Sequence, residues 1–159
     1  MTRVVDVAVS GVRIPLGRKR VAAIVDTVLG AEGVHHALVS VSFVTTARIA
    51  ALNRRHLGHA GATDVISFGF VRRRAADPVI ADNYIAAAGA RANAAAHGAT
   101  FREELTRLLV HGALHALGYD HPAGAGRTAS AMWQRQEALV RRLQRRAPRK
   151  ASARRASAA

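Results

Sequence analysis

Apolar residues recur along this chain with two alternating periods, and each change of period marks an element. Arg3–Val9 carries Val4, Val5, Val7 and Val9, a β-branched run that predicts a first strand. Gly11 to Pro15 reads as a turn or a short second strand. Gly17-Arg18-Lys19-Arg20 leads into a helix through Leu29, because Val21, Ile24, Val25 and Val28 fall on one 3.6-residue stripe; Gly30 and Gly33 close it. In Ala37–Val44, Leu38, Ser40 and Ser42 alternate with Val39, Val41 and Phe43, a strand with at least one buried face. Thr45 or Thr46 then caps a helix containing Ile49, Leu52 and Leu57, which Gly58 to Gly61 break.

The second half repeats the alternation. Thr63–Phe70 is the next strand, followed by a polar loop with Arg72, Arg73 and Arg74, and Val79–Ile85 is a fourth. Ala86–Ala96 is an alanine-rich helix that Gly89 weakens. Thr100-Phe101-Arg102-Glu103 forms a capping box, with Thr100 reaching the amide of Glu103 and Glu103 reaching back. The helix it starts runs to Leu117. Leu105, Leu108, Leu109, Val110, Leu114 and Leu117 surround that helix, so it is expected to be buried on most sides. A last helix, about Thr128 to Arg146, carries Met132, Trp133, Leu139 and Leu143. Four strands interleaved with helices suggest an α/β-type sandwich with a sheet of at least three strands.

Composition bounds what such a fold is for. With 159 residues, half of them apolar, the chain can bury one real core. Residues 1–146 are expected to form that domain. The Ala/Ser/Arg/Pro-rich residues 147–159 have too little apolar content to fold. Of the net charge of +14, residues 141–159 contribute +8, with no acid among them, and +6 remains on residues 1–140. Both parts therefore favour a polyanionic partner, nucleic acid first. There is no cysteine, so a bound metal must use nitrogen and oxygen ligands. The start has no apolar stretch behind a basic one, and no apolar run reaches spanning length, so a cytoplasmic protein is expected.

The candidate chemistry lies in His111-Gly112-Ala113-Leu114-His115-Ala116-Leu117-Gly118-Tyr119-Asp120-His121, where three of the eight histidines fall in eleven residues. On a helix His111 and His115 stand one above the other. Gly118 can take the left-handed conformation that ends the helix and lets the chain return His121 to the same point. Three converging imidazoles with a fourth position open make the ligand set of a catalytic zinc-type site. The spacing equals that of the metzincin proteases, but Gly112 stands where their general-base Glu would be, so a protease reading lacks its central group. Asp120 beside His121 is a partner for a ligand, a proton carrier, or simply a turn residue.

These eleven residues closely resemble the signature of the YbeY family of bacterial endoribonucleases. Leu52-Asn53 followed by Thr63-Asp64-Val65-Ile66-Ser67-Phe68 resembles a second block of that family, and Ala81-Asp82-Asn83-Tyr84-Ile85 a third. The resemblance runs from about Val4 to Leu143. It implies an α+β single domain with a roughly four-stranded mixed sheet, the motif helix being central. It also implies one Zn²⁺ per chain, or another divalent ion, on His111, His115 and His121, with single-stranded RNA as substrate. The family acts in 16S rRNA maturation and ribosome quality control, with the small ribosomal subunit, its protein S11 and the Era GTPase as partners. Leu57 stands where the family commonly has an arginine, so Arg54, Arg55 and His59 are the neighbours that can supply its function. Gly69 and Ala81 replace the family's proline and glycine.

The expected chemistry is metal-assisted cleavage of RNA phosphodiesters, by a water or by the substrate's 2′-hydroxyl. Arg55, His59 and Asp120 are the catalytic candidates, and Arg54, Arg55, Arg72, Arg73 and Arg74 the RNA-binding ones. Aromatic residues are only 4% of the chain, so phosphate contacts should outweigh base stacking, with steep salt dependence. The rivals are a non-catalytic ribosome-assembly factor with a structural metal and a metzincin-like protease.

Overall fold

The element order is β1 (Thr2–Val9), α1 (Arg18–Ala31), β2 (His36–Val44), α2 (Thr46–Leu57), β3 (Val65–Gly69), β4 (Val79–Ala86), α3 (Ala87–His97), α4 (Phe101–Ala116) and α5 (Ala131–Arg146). The computed structural model describes residues 1–57, 64–120, 126 and 130–146, without the side chains of 56, 57 and 146. His59, His121, Thr63, Thr128 and the tail 147–159 thus lie outside the described residues. Gly11 to Pro15 forms no strand. The local start signals act largely as expected. Thr45 Oγ1 accepts from the Arg48 amide at 3.1 Å, and Thr100 accepts from the Glu103 amide at 3.1 Å. The return half of the capping box is replaced, because the Glu103 carboxylate accepts from Gln144 of α5 at 2.8 Å.

The strands form one mixed sheet in the order β1-β2-β4-β3. β1 and β4 flank β2 in parallel, while β3 pairs antiparallel with β4 at the edge. The class is therefore α+β, not the α/β type that alternation suggested: β3 and β4 are consecutive strands joined by a short loop that reverses the chain. Because side chains alternate across a strand, Val39, Val41 and Phe43 of β2 and Val79, Ala81 and Ile85 of β4 point into one core with α1, α4 and α5. A smaller core on the opposite face joins Ile49 and Leu52 of α2 to Ile66 of β3. Among the described residues no helix is long and apolar enough to cross a membrane.

α4 is held from both sides. Gly112 and Ala116, one turn apart, lie against Val65 and Gly69 of β3, so the helix runs alongside the edge strand. On its other flank Arg107 ion-pairs with Glu104 of its own helix and with Glu137 of α5 at 2.8 Å. Glu104 is only 9% exposed, so removing its cation leaves a buried carboxylate uncompensated. Arg107→Ala is expected to cost about 3 kcal/mol, below the full figure for a buried pair because Arg107 is part-exposed. Urea unfolding checks this, and a loss under about 1 kcal/mol would make the network ornamental.

Candidate metal centre and basic groove

His111 and His115 sit on consecutive turns of α4, with ring centroids 4.5 Å apart and planes at 85°. His111 is buried at 9% exposure and His115 half-buried. Each ring is oriented through its Nδ1. His111 Nδ1 lies 2.7 Å from Gln136 Oε1 on α5, and His115 Nδ1 lies 3.0 Å from the Tyr119 carbonyl. Both partners are acceptors, the Gln136 oxygen being identified by its own Nε2 donating to Glu137 at 3.2 Å. Each Nδ1 therefore carries the proton, and each lone pair sits on Nε2. That is the tautomer in which neutral imidazole ligates a divalent ion, fixed by the hydrogen bond at the other nitrogen.

The turn after α4 follows its chemistry. Gly118 takes φ +95°, and its amide bonds the His115 carbonyl at 3.0 Å. Tyr119 then anchors the departing chain, its hydroxyl donating to Glu32 at the end of α1 at 2.7 Å, while Arg135 of α5 pairs with the same carboxylate. Bonding to Glu32 first, and burial second, hold the Tyr119 phenol above its usual pKa. Three elements thus meet where the chain heads for His121. Among the described residues no group of three or more metal-donor side chains is present, and His121 lies outside them. The two imidazoles that are described, both nitrogen donors with Nδ1 protonated, fit a zinc-type ion.

Gly112 has a packing reason. A Cβ there would stand 3.2 Å from Val65 Cγ1 and 3.4 Å from Asn83 Oδ1. Asn83 is 2% exposed in the middle of β4 and accepts from Ser67 Oγ at 2.6 Å; that hydroxyl also lies 3.2 Å from the Gly112 carbonyl. The position that holds a glutamate in a metzincin is here filled by the sheet. Asp64, in the second of the motif blocks, has a structural role of the same kind. Its carbonyl accepts the Ala86 amide at 2.9 Å, and its carboxylate lies where a Cβ on Gly89 would be, against the first turn of α3. Burial pushes that carboxyl above the usual range, while the helix N-terminus favours its charge.

Arg72, Arg73 and Arg74 lie in the loop between β3 and β4, which passes the C-terminal end of α4. Together with His115, Leu117 and Gly118 they line a groove of about 460 Å³. Three arginines and no acidic residue are among its described lining residues, which suits a polyanion. The structure thus unites the arginine run with a histidine of the motif, although they are separated by forty residues. Arg54 and Arg55 are exposed on α2, which packs on β3, β4 and α3. Asp120 is exposed, and His59 lies outside the described residues. Gln136, Asn83, Ser67 and Tyr119 are the site residues that pattern reading missed.

Residues 12–144 match the family model of Endoribonuclease YbeY. The chain is similar to the Endoribonuclease YbeY of Geobacillus kaustophilus, 41% identical over 66% of this chain and 72% of that one. It is also similar to that of Desulfitobacterium hafniense, 37% identical over 72% of this chain and 76% of the relative. The relative in Geobacter sulfurreducens is 35% identical over 82% and 87%. The fold resembles the solution structure of TM1509 from Thermotoga maritima, with a TM-score of 0.57 and 23% identity over 88% of this chain and 89% of that one.

Proposed function

This chain belongs to the YbeY family, and from that premise we propose that it is a metal-dependent endoribonuclease cutting single-stranded RNA at His111, His115 and His121. The observation that carries the reading is the paired orientation of His111 and His115, each with Nδ1 held by an acceptor and its lone pair on Nε2. His121 would complete the set from beyond the Tyr119 anchor. A divalent ion held there, Zn²⁺ first, supplies Lewis acidity toward a phosphoryl oxygen.

The remaining work falls to this chain's own side chains. Gln136 and the Tyr119 carbonyl keep both imidazoles in the ligating tautomer and so limit reorganisation on binding. Arg72, Arg73 and Arg74 hold backbone phosphates across the groove from His115. Arg55, His59 and Asp120 are proposed to assist proton transfer and charge stabilisation, with Arg54 as a further phosphate contact from α2. The physiological reading is 16S rRNA maturation and ribosome quality control in the cytoplasm, with the small subunit, S11 and Era as partners. Residues 1–146 act as one domain, and the basic residues 147–159 add non-specific affinity for RNA.

The test is end-group analysis of a single-stranded RNA and its duplex after incubation with Zn²⁺-loaded protein, with and without chelator. Cleavage confined to the single strand and abolished by chelation is expected. A 2′,3′-cyclic phosphate end would identify the 2′-hydroxyl as nucleophile. Cleavage no greater than that of a His115→Ala control would overturn the enzyme reading in favour of an assembly factor.

A further inference from the structure

The loop from Val71 to Pro78 is built around one side chain that no motif singles out. Of these eight residues, only Asp77 is not exposed. Its Oδ2 accepts from the amide of Arg73 at 3.1 Å and from the amide of Arg74 at 3.0 Å. Its own amide donates to the Arg74 carbonyl at 3.1 Å, closing a tight turn over Arg74–Asp77. The Asp77 side chain is 30% exposed, whereas that of Arg74 is 83% exposed, with the Arg74 Nε 3.6 Å from Asp77 Oδ1. The carboxylate is therefore spent chiefly on the backbone, and the guanidinium groups reach outward beside the groove.

This arrangement answers a physical problem. Three consecutive arginines repel one another, and a loop of exposed residues has little apolar contact to order it. A single carboxylate folded under them offsets part of the repulsion and satisfies two consecutive amides at once. It also fixes where the loop turns, and Pro78 stiffens the entry into β4 behind it. The same loop walls the groove that holds His115. Without the Asp77 anchor the arginines would still be present, but each binding event would have to order the loop as well as hold the strand.

We propose that Asp77 is a positioning residue for the substrate: it pre-folds the Arg72–Arg74 loop so that its cations meet the phosphates of single-stranded RNA beside His115. This rests on the endoribonuclease reading, and it concerns binding, not the bond-breaking step. Asp77 touches no substrate in this scheme. It acts through the backbone of Arg73 and Arg74.

Two variants separate positioning from charge. Asp77→Ala removes both acceptors, while Asp77→Asn keeps an acceptor oxygen for the two amides and loses only the charge. The probe is a fluorescent single-stranded oligoribonucleotide, with Kd measured in chelator and KM and kcat on the Zn²⁺-loaded full chain. For Asp77→Ala, Kd and KM are expected to rise roughly tenfold, the cost of ordering one or two side chains and their loop on binding. The kcat and the melting temperature should barely move. Asp77→Asn should return Kd and KM to within about threefold of the parent, by keeping the turn.

The proposal is overturned if Asp77→Ala binds RNA as tightly as the parent. It is equally overturned if Asp77→Asn is as weak as Asp77→Ala, or if kcat falls while KM stays fixed. A general loss of folding in Asp77→Ala, seen as a large drop in melting temperature, would also refute it by making the residue structural. If the parent itself neither binds nor cuts RNA, the endoribonuclease reading has failed and this proposal falls with it. A parent that cuts RNA with no effect of Asp77 refutes the positioning role alone.

Discussion

His115→Ala is expected to lower kcat/KM for RNA cleavage by about a thousandfold, a loss of roughly 4 kcal/mol of transition-state stabilisation, while the metal-free protein should unfold within about 1 kcal/mol of the parent. The two halves of this result come from separate features. The imidazole is one of the two described candidate ligands, so its loss would open the proposed set. Its fold contribution is expected to be small, because the ring is half-buried and its hydrogen bond to the Tyr119 carbonyl is an ordinary one. Stability must be compared in chelator, since a bound ion stabilises any folded protein that binds it.

His111→Ala provides the contrast. Gln136 is 2% exposed and bonded to that ring at 2.7 Å, so truncation strands a buried amide oxygen at a cost of about 1–3 kcal/mol. Both variants should lose activity equally, and His111→Ala should also lose stability without metal. Were His115→Ala to keep RNA cleavage near the parental rate, the cleavage would not come from this site, and the assembly-factor reading would replace the metal-dependent enzyme.

Much of the fold around this candidate site was legible because helix periods, caps and the histidine spacing are local properties. Val21, Ile24, Val25 and Val28 announce α1, and Thr100 announces the start of α4. What was hidden depends on pairing across the chain. Nothing in residues 63–86 says that β3 runs antiparallel beside β4 at the edge of an otherwise parallel sheet, which brings Arg72–Arg74 past His115. Local spacing gives Glu103 to the Thr100 amide, but Gln144 of α5 takes its carboxylate instead.

Val79, Ala81, Asn83 and Ile85 occupy one face of β4, and Met132, Gln136, Leu139, Val140 and Leu143 one stripe of α5; all are buried. An amide inside an apolar row must find a partner. Asn83 finds Ser67, and Gln136 finds His111. Such polar residues in apolar rows point to the groups that orient the candidate histidines, as distinct from the histidines themselves. Leu57 is less informative, since its side chain and His59 lie outside the described residues.

Gly112→Glu puts back the general base of the zinc proteases and should create no protease. The expected outcome is a loss of about 4 kcal/mol in urea unfolding and no cleavage of casein. The first carbon already costs something: at 3.2 Å from Val65 Cγ1 it is tight enough that this methyl must give by a few tenths of an ångström. The rest of the side chain would enter a space occupied by the Ser67–Asn83 pair and deliver a carboxylate beside the Asn83 oxygen. Gly112→Ala separates the two costs. It gains up to about 1 kcal/mol of helix propensity and loses a similar amount to the Val65 contact, so it should stay within about 1 kcal/mol of the parent. A Gly112→Glu protein as stable as the parent would mean that α4 lifts readily from the sheet, and if it also cut casein the metzincin reading would return. The sheet's approach to Gly112 makes the opposite result the expected one: on this scaffold the space beside the first histidine belongs to β3 and β4, and the groove on the other side of His115, with its arginine loop, is where a substrate can lie.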